Sequence, residues 1–121
     1  MLSLSPTIRI FLCAESADLR KSFDGLSALV RQALGDDPLS GHWFVFKNRK
    51  GDRLKILAWE EDGWCLWYKR LEQGVFRFPA AADSGPPRVE LRAAELAMLL
   101  DGVVLEKVQR RKRYHRPATA K

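Results

Sequence analysis

Cysteine and histidine are scarce in this 121-residue chain, with two of each, and long apolar runs are missing. Cys13 and Cys65 both lie inside apolar stretches, with no Cys-x-x-Cys spacing, so neither a disulfide framework nor a redox motif is expected. Buried free thiols are the plain expectation. His42 and His115 stand far apart in the sequence and add nothing to the cysteines, so the three or four ligands of a zinc site cannot be assembled. No metal and no cofactor is predicted. The longest uncharged stretch, Pro38 to Phe46, has nine residues, about half of a membrane-spanning helix. The first nine residues lack a positive segment followed by an apolar run, and the expectation is a cytoplasmic protein with no membrane partner.

Catalytic patterns are missing as well. There is no phosphate-binding Gly-rich loop, no dinucleotide fingerprint and no Ser/His/Asp arrangement. Metal-dependent phosphoryl transfer would need converging carboxylates. The acids Asp18, Asp24, Asp36, Asp37, Asp52, Glu60, Glu61 and Asp62 fall mostly in turns and helix starts, and only Asp36-Asp37 with Glu60-Glu61-Asp62 could be imagined as a metal site. The reading is therefore of a protein that is not an enzyme.

What the chain does have is one domain's worth of apolar sequence and a divided charge. Apolar residues at 46% and charged residues at 30% are ordinary for a globular domain, which argues against general disorder and coiled coil. The net charge of +6 hides an asymmetry. Residues 107–121 hold seven basic side chains and no acid, whereas residues 1–106 hold fourteen basic and fifteen acidic ones. The expected organisation is a single domain over 1–106 followed by a basic C-terminal arm over 107–121 that is expected to be flexible. Within the arm, Arg110, Arg111, Lys112, Arg113 and Arg116 are interleaved with Tyr114 and His115. Such a run can neutralise phosphates and release their counterions, and Tyr114 offers a stacking face. The plainer alternative is a solvated tail that aids solubility.

Hydrophobic periodicity supplies the elements. Residues 7–13 read as a strand. Ser16 as N-cap, Asp18 in the first turn, an apolar stripe of Leu19, Phe23, Leu26, Val30 and Leu34, and Gly35 as stop predict one long helix. Gly25 inside it suggests close packing against a strand. His42–Asn48, Arg53–Glu60 and Trp64–Leu71 then form three strand-like runs, separated by Lys50-Gly51 and Asp62-Gly63. Two-residue loops at those pairs would set Phe46 beside Lys55 and Lys55 beside Arg70. Val75–Phe78 and Arg88–Leu91 are further short strands, and Ala93–Asp101 a short helix. The expected fold is α+β: an antiparallel β-meander of three to five strands packed with one long N-terminal and one short C-terminal helix. Both sheet faces would be apolar, so the sheet is either covered on both sides or curled into a partial barrel.

Two sets of residues stand out for binding. Lys47, Arg49, Lys50, Arg53 and Lys55 surround one hairpin with Asp52 as the single acid, and Lys69-Arg70 would lie near them in the meander. Cations alternating with aromatics on strands suit a nucleic-acid surface, while a core of aromatics with a solvated hairpin tip is the competing reading. Trp43, Trp59, Trp64 and Trp67 are candidate anchors for a protein partner.

The order of Asp18-Leu19-Arg20-Lys21-Ser22-Phe23-Asp24-Gly25-Leu26, Asp37-Pro38-Leu39-Ser40-Gly41-His42-Trp43-Phe44-Val45-Phe46, Lys55-Ile56-Leu57-Ala58-Trp59 and Gly63 to Phe76 resembles the small accessory protein called TnpB, or second open reading frame, of insertion sequences of the IS-sixty-six group. The resemblance spans roughly residues 6 to 102. It departs from the usual pattern at Ala58-Trp59-Glu60 and at Ser22. It implies a protein that assists DNA transposition beside a separately encoded transposase and a second small accessory protein. DNA at the element's ends, the transposase and the neighbouring protein are the implied partners, and a homo-oligomer is compatible with them. The expected function is a non-catalytic accessory factor touching DNA through the basic hairpin and arm; the alternative is an interaction module that binds the transposase with little DNA contact.

Overall fold

The computed structural model describes residues 5–80 and 84–102. The basic arm, with Arg110, Arg111, Lys112, Arg113 and Arg116, lies outside the described residues.

Five strands make one mixed sheet. β1 (Ile10–Cys13), β2 (Trp43–Lys47), β3 (Arg53–Glu60), β4 (Gly63–Arg70) and β5 (Arg88–Leu91) are ordered β4-β3-β2-β1-β5. β1 and β2 run parallel, with Ile10 opposite Trp43 and Leu12 opposite Val45; the other neighbours are antiparallel. A parallel pair needs a crossover, and residues 14–42 supply it with a helix. That helix is α1 (Phe23–Leu29), which continues as a π-helical turn over Val30–Leu34. A second helix, α2 (Ala93–Leu100), follows β5 directly, and the Glu95 carboxylate accepts the Arg92 backbone N–H at its start.

The helices cover opposite faces. Phe11, Phe44, Phe46 and Leu57 bury against Leu26, Val30 and Leu34 of the first helix and its π turn. Ile10, Leu12, Val45, Leu54 and Ile56 bury against Leu96 and Leu99 of α2 and against Phe76. An apolar sheet covered on both sides has no reason to close, and the sheet is open, with β4 and β5 as its edges. The meander is present as β2-β3-β4. Of the two architectures left open by the sequence, the covered sheet is the one adopted.

Three local expectations need correction. The N-terminal helix is shorter than the stripe suggested and starts at Phe23. The Asp18 carboxylate instead accepts the Arg20 backbone N–H, and Lys21 N–H bonds to the Asp18 carbonyl, so Asp18 closes a turn here and does not belong to a helix start. Leu19 is still buried, as part of this loop. Gly25 does not meet a strand: a Cβ there would come within 2.9 Å of the Lys21 Cβ, so its smallness lets the loop fold back on the helix. Residues 75–78 form no strand; they strap the β2–β3 hairpin, with Phe76 N–H bonded to the Gly51 carbonyl at 2.8 Å.

The β2–β3 register is the expected one, with Phe46 opposite Lys55. The β3–β4 register differs by two residues, since Lys55 faces Tyr68 and Arg70 faces Arg53. Glu61-Asp62 form the turn, with Glu61 at φ 52°, and Gly63 already belongs to β4. A shift of two leaves every side chain on its face.

The π turn has a sequence cause. Leu26, Val30 and Leu34 are spaced by four, which drifts ahead of a 3.6-residue turn, and the wider turn keeps Leu34 on the core. Gly35 then ends the helix in the left-handed region at φ 66°, with its N–H on the Val30 carbonyl. No atom lies within 4 Å of where its Cβ would be, so Gly35→Ala tests backbone strain alone. The expected result is a loss of about 1 kcal/mol in urea unfolding with an unchanged m-value.

Candidate nucleic-acid interface

The basic hairpin is built by Asn48. Its Oδ1 accepts the backbone N–H groups of Gly51 and Arg53, both at 3.0 Å, and its Nδ2 donates to Asp52 at 2.7 Å. This last bond, ahead of the nearby Lys50 charge, holds the Asp52 carboxyl below its ordinary range. Arg49 and Lys50 are left exposed at the tip, Lys50 at 3.8 Å from Asp52.

β4 brings two further cations to the same end of the sheet. Arg53 and Arg70 are directly opposite each other on the α1 face. Lys47, Leu54 and Lys69 form the adjacent row on the α2 face. Arg53 donates to the Tyr68 hydroxyl at 3.1 Å, Arg70 pairs with Glu72 at 3.0 Å, and Lys47 lies over the Phe78 ring at 5.1 Å. Six cations thus gather where Asp52 and Glu72 are the adjacent acids. Like charges placed opposite each other on neighbouring strands cost stability, so their juxtaposition is not explained by packing.

Lys55 is different. It is buried, donates from Nζ to the Lys21 carbonyl at 2.9 Å and sits 4.7 Å from the Tyr68 ring centre. Its ammonium ties the crossover loop to the sheet, and it leaves the exposed basic set. Sequence alternation put it on the correct face, but only the fold-back of residues 16–22 covers it.

A cleft of about 500 Å³ opens beside the hairpin, beyond the carboxyl ends of the parallel strands β1 and β2. Arg20, Lys50, Arg53 and Tyr68 line it together with Asp18 and Asp52. In open sheets with parallel strands this is where ligands commonly bind. Arg20 and Asp18 form a surface pair: Arg20 grips Asp18 at 2.8–3.2 Å, and both are exposed. The side-chain bonds from Arg20, reinforced by its backbone N–H, bring the Asp18 carboxyl down to about 2. Because the folded value is depressed, the pair's small stabilisation is present above about pH 4 and is lost as pH falls toward 2. An NMR titration should give a carboxyl midpoint near 2 for Asp18, returning toward the ordinary range in Arg20→Ala. A midpoint near 4 in the unaltered chain would show the pair to be unformed in solution.

The four tryptophans do not make one surface. Trp43 is buried on the α2 side, which removes it as an exposed anchor, and Trp67 is half-buried on that same side. Trp59 and Trp64 meet edge to face at 5.1 Å at the opposite end of the sheet from the cations. Trp43 and Trp59 border a second cleft, of about 570 Å³, with Leu39 and the acidic turn Glu60-Glu61-Asp62. Phe23, expected on the buried stripe of the N-terminal helix, is instead 40% exposed, and Leu39, Val75 and Met98 are further exposed apolar side chains.

Neither thiol is a ready nucleophile. Burial raises the Cys13 thiol, and the hydrogen bond to Glu60, at 3.3 Å, raises that of Cys65. Among the described residues no three or more His, Cys, Asp or Glu side chains converge as metal ligands. Asp36 is paired with Arg88, and Asp37 accepts the Leu39 N–H. Among the described residues no helix is long and apolar enough to cross a membrane.

Comparison with known proteins gives the context for this geometry. The chain is 34% identical over 111 residues to the uncharacterized protein y4jC of Sinorhizobium fredii (strain NBRC 101917 / NGR234), covering 92% of each chain. It is 33% identical over 103 residues to the uncharacterized protein y4hO of the same organism, covering 85% of this chain and 87% of that one. No solved structure matches it. The IS66 Orf2-like family matches residues 8–110, across the whole sheet and both helices, and the chain belongs to this family of insertion-sequence accessory proteins.

Proposed function

We propose that the chain is a non-catalytic accessory factor for transposition that contacts DNA at the ends of its insertion sequence through the basic end of the sheet. The observation that carries this reading is the row of Arg53 against Arg70, flanked by Lys47 and Lys69 and capped by Arg49 and Lys50. Cations held together against their own repulsion suit a polyanion, whose phosphates relieve it and whose counterions are released. The basic arm over 107–121 adds phosphate contacts in this reading, and the transposase and the neighbouring accessory protein are its partners in the same process. DNA strand chemistry is left to the transposase.

The test is fluorescence anisotropy of a labelled element-end duplex and a scrambled duplex, titrated with the full chain and with residues 1–106 across a salt series. Binding with a log-log salt slope near −4 or steeper, about four or more phosphates neutralised, supports the reading. The decrease of slope in the shorter chain measures the arm's share. No binding at about 100 mM salt by either chain would overturn it.

A second reading, a protein-interaction module, is favoured by the Trp59–Trp64 pair beside the second cleft. Aromatic residues often anchor interfaces. Co-purification with the transposase in high salt, with no DNA shift by the isolated protein, is its signature.

A further inference from the structure

The two edges of the sheet are treated differently. β5 is four residues long, follows Pro86-Pro87 and carries Arg88 and Glu90, all of which discourage another strand from adding. β4 is eight residues long and, among the described residues, hydrogen-bonds on one side only, to β3. From Gly63 to Tyr68 it has no charge and no proline, and Tyr68 is 47% exposed. Its two ends have opposite sign. Glu60-Glu61-Asp62 lie at one, and Lys69-Arg70 beside Arg53 at the other, roughly 25 Å away at strand rise.

We propose that β4 pairs antiparallel with β4 of a second copy of this chain, centred on Leu66, giving a continuous ten-stranded sheet. An antiparallel self-pairing sets the acidic end of each strand against the basic end of the other. A two-fold axis normal to the sheet also requires paired residues to lie on the same face, so the strand is centred on a single residue. Centring on Leu66 places Asp62 opposite Arg70 of the second copy and Trp64 opposite its Tyr68. Centring on Trp67 would place Arg70 opposite Trp64 and leave the acids unmatched. In the isolated chain Arg70 is paired with Glu72, but that pair is exposed and exchanges at little cost. Lys47, Arg49, Lys50, Arg53 and Lys69 remain available to phosphate, and the proposal does not rest on DNA binding.

The experiment is sedimentation equilibrium of the full chain without DNA, at about 100 mM salt, on the unaltered protein, D62R, R70E and D62R/R70E. Asp62 and Arg70 are exposed, and circular dichroism confirms that each variant is folded. The expected result is a species of twice 13.8 kDa. Each single reversal puts two like-charged contacts into the symmetric interface and should weaken the dimer roughly tenfold or more, and the double reversal should restore most of the loss. A monomer at all concentrations up to about 100 μM, far above the micromolar range typical of specific association, would overturn the proposal. So would a dimer indifferent to both single reversals, or one that the double reversal does not restore.

Discussion

Replacing Arg49, Lys50, Arg53 and Lys69 together by alanine is expected to lower affinity for any duplex by roughly 100-fold at about 100 mM salt and to flatten the salt dependence. Each phosphate that is no longer neutralised takes about 0.9 from the log-log slope, so three or four of them change it by roughly 3. Three of these side chains are exposed and Lys69 is partly so, and none accepts or donates a fold-defining side-chain bond except Arg53, which reaches Tyr68. Unfolding by urea should therefore be little changed. Lys55→Met is the contrasting variant. Its ammonium is committed to the Lys21 carbonyl inside the fold, so its removal should lower stability by about 1–3 kcal/mol and leave the salt slope unchanged. An unaltered slope in the quadruple variant would move the DNA contact away from this end of the sheet.

Phe46→Ala is expected to cost about 3–5 kcal/mol, much of the stability of an ordinary domain. Phe46 has no solvent exposure, sits on the central strand β2 and packs in the layer beneath the first helix. Thermal unfolding should show a fall in Tm of roughly 10–20 °C. A loss below about 1 kcal/mol would mean that the helix layer collapses into the vacated volume.

The elements that sequence reading located best are those defined by neighbours along the chain. Arg53–Glu60 was legible because an apolar run from Leu54 to Trp59, broken only by Lys55, lies there between turn signals, and its bounds agree with β3. The Phe46–Lys55 register followed from the tight loop at Lys50-Gly51. At the second hairpin, Asp62-Gly63 is a strong turn signal, yet Glu61 takes the positive φ and Gly63 joins the strand, so the register moved by two. Asp18 misled for a related reason: the same side-chain oxygens favour helix starts and close turns, and local sequence does not separate the two.

The candidate site shows the same division. Lys69 and Arg70 were expected near the hairpin, and pairing with Leu54 and Arg53 puts them there. Trp43 and Lys55 were expected at the surface, and contacts distant in sequence bury both. The cleft beyond β1 and β2 was not anticipated, because it depends on their parallel pairing, which no local pattern encodes.

That parallel pairing also orders the folding reaction. The partners in β3 and β4 are between 3 and 17 positions apart, whereas Ile10 waits for its parallel partner Trp43, 33 positions away, and for Leu91 on its other side, 81 positions away. Loop-closure entropy makes the meander the early structure and β1 a late addition, flanked by β2 on one side and β5 on the other. A chain cut before Arg88 would leave β1 as an open edge, with Ile10 and Leu12 lacking the cover of α2. Such a fragment presents unpaired backbone and bare apolar surface together, the combination that seeds aggregation. Synthesis through Leu100 is therefore what turns the N-terminal strand from an exposed template into an interior one.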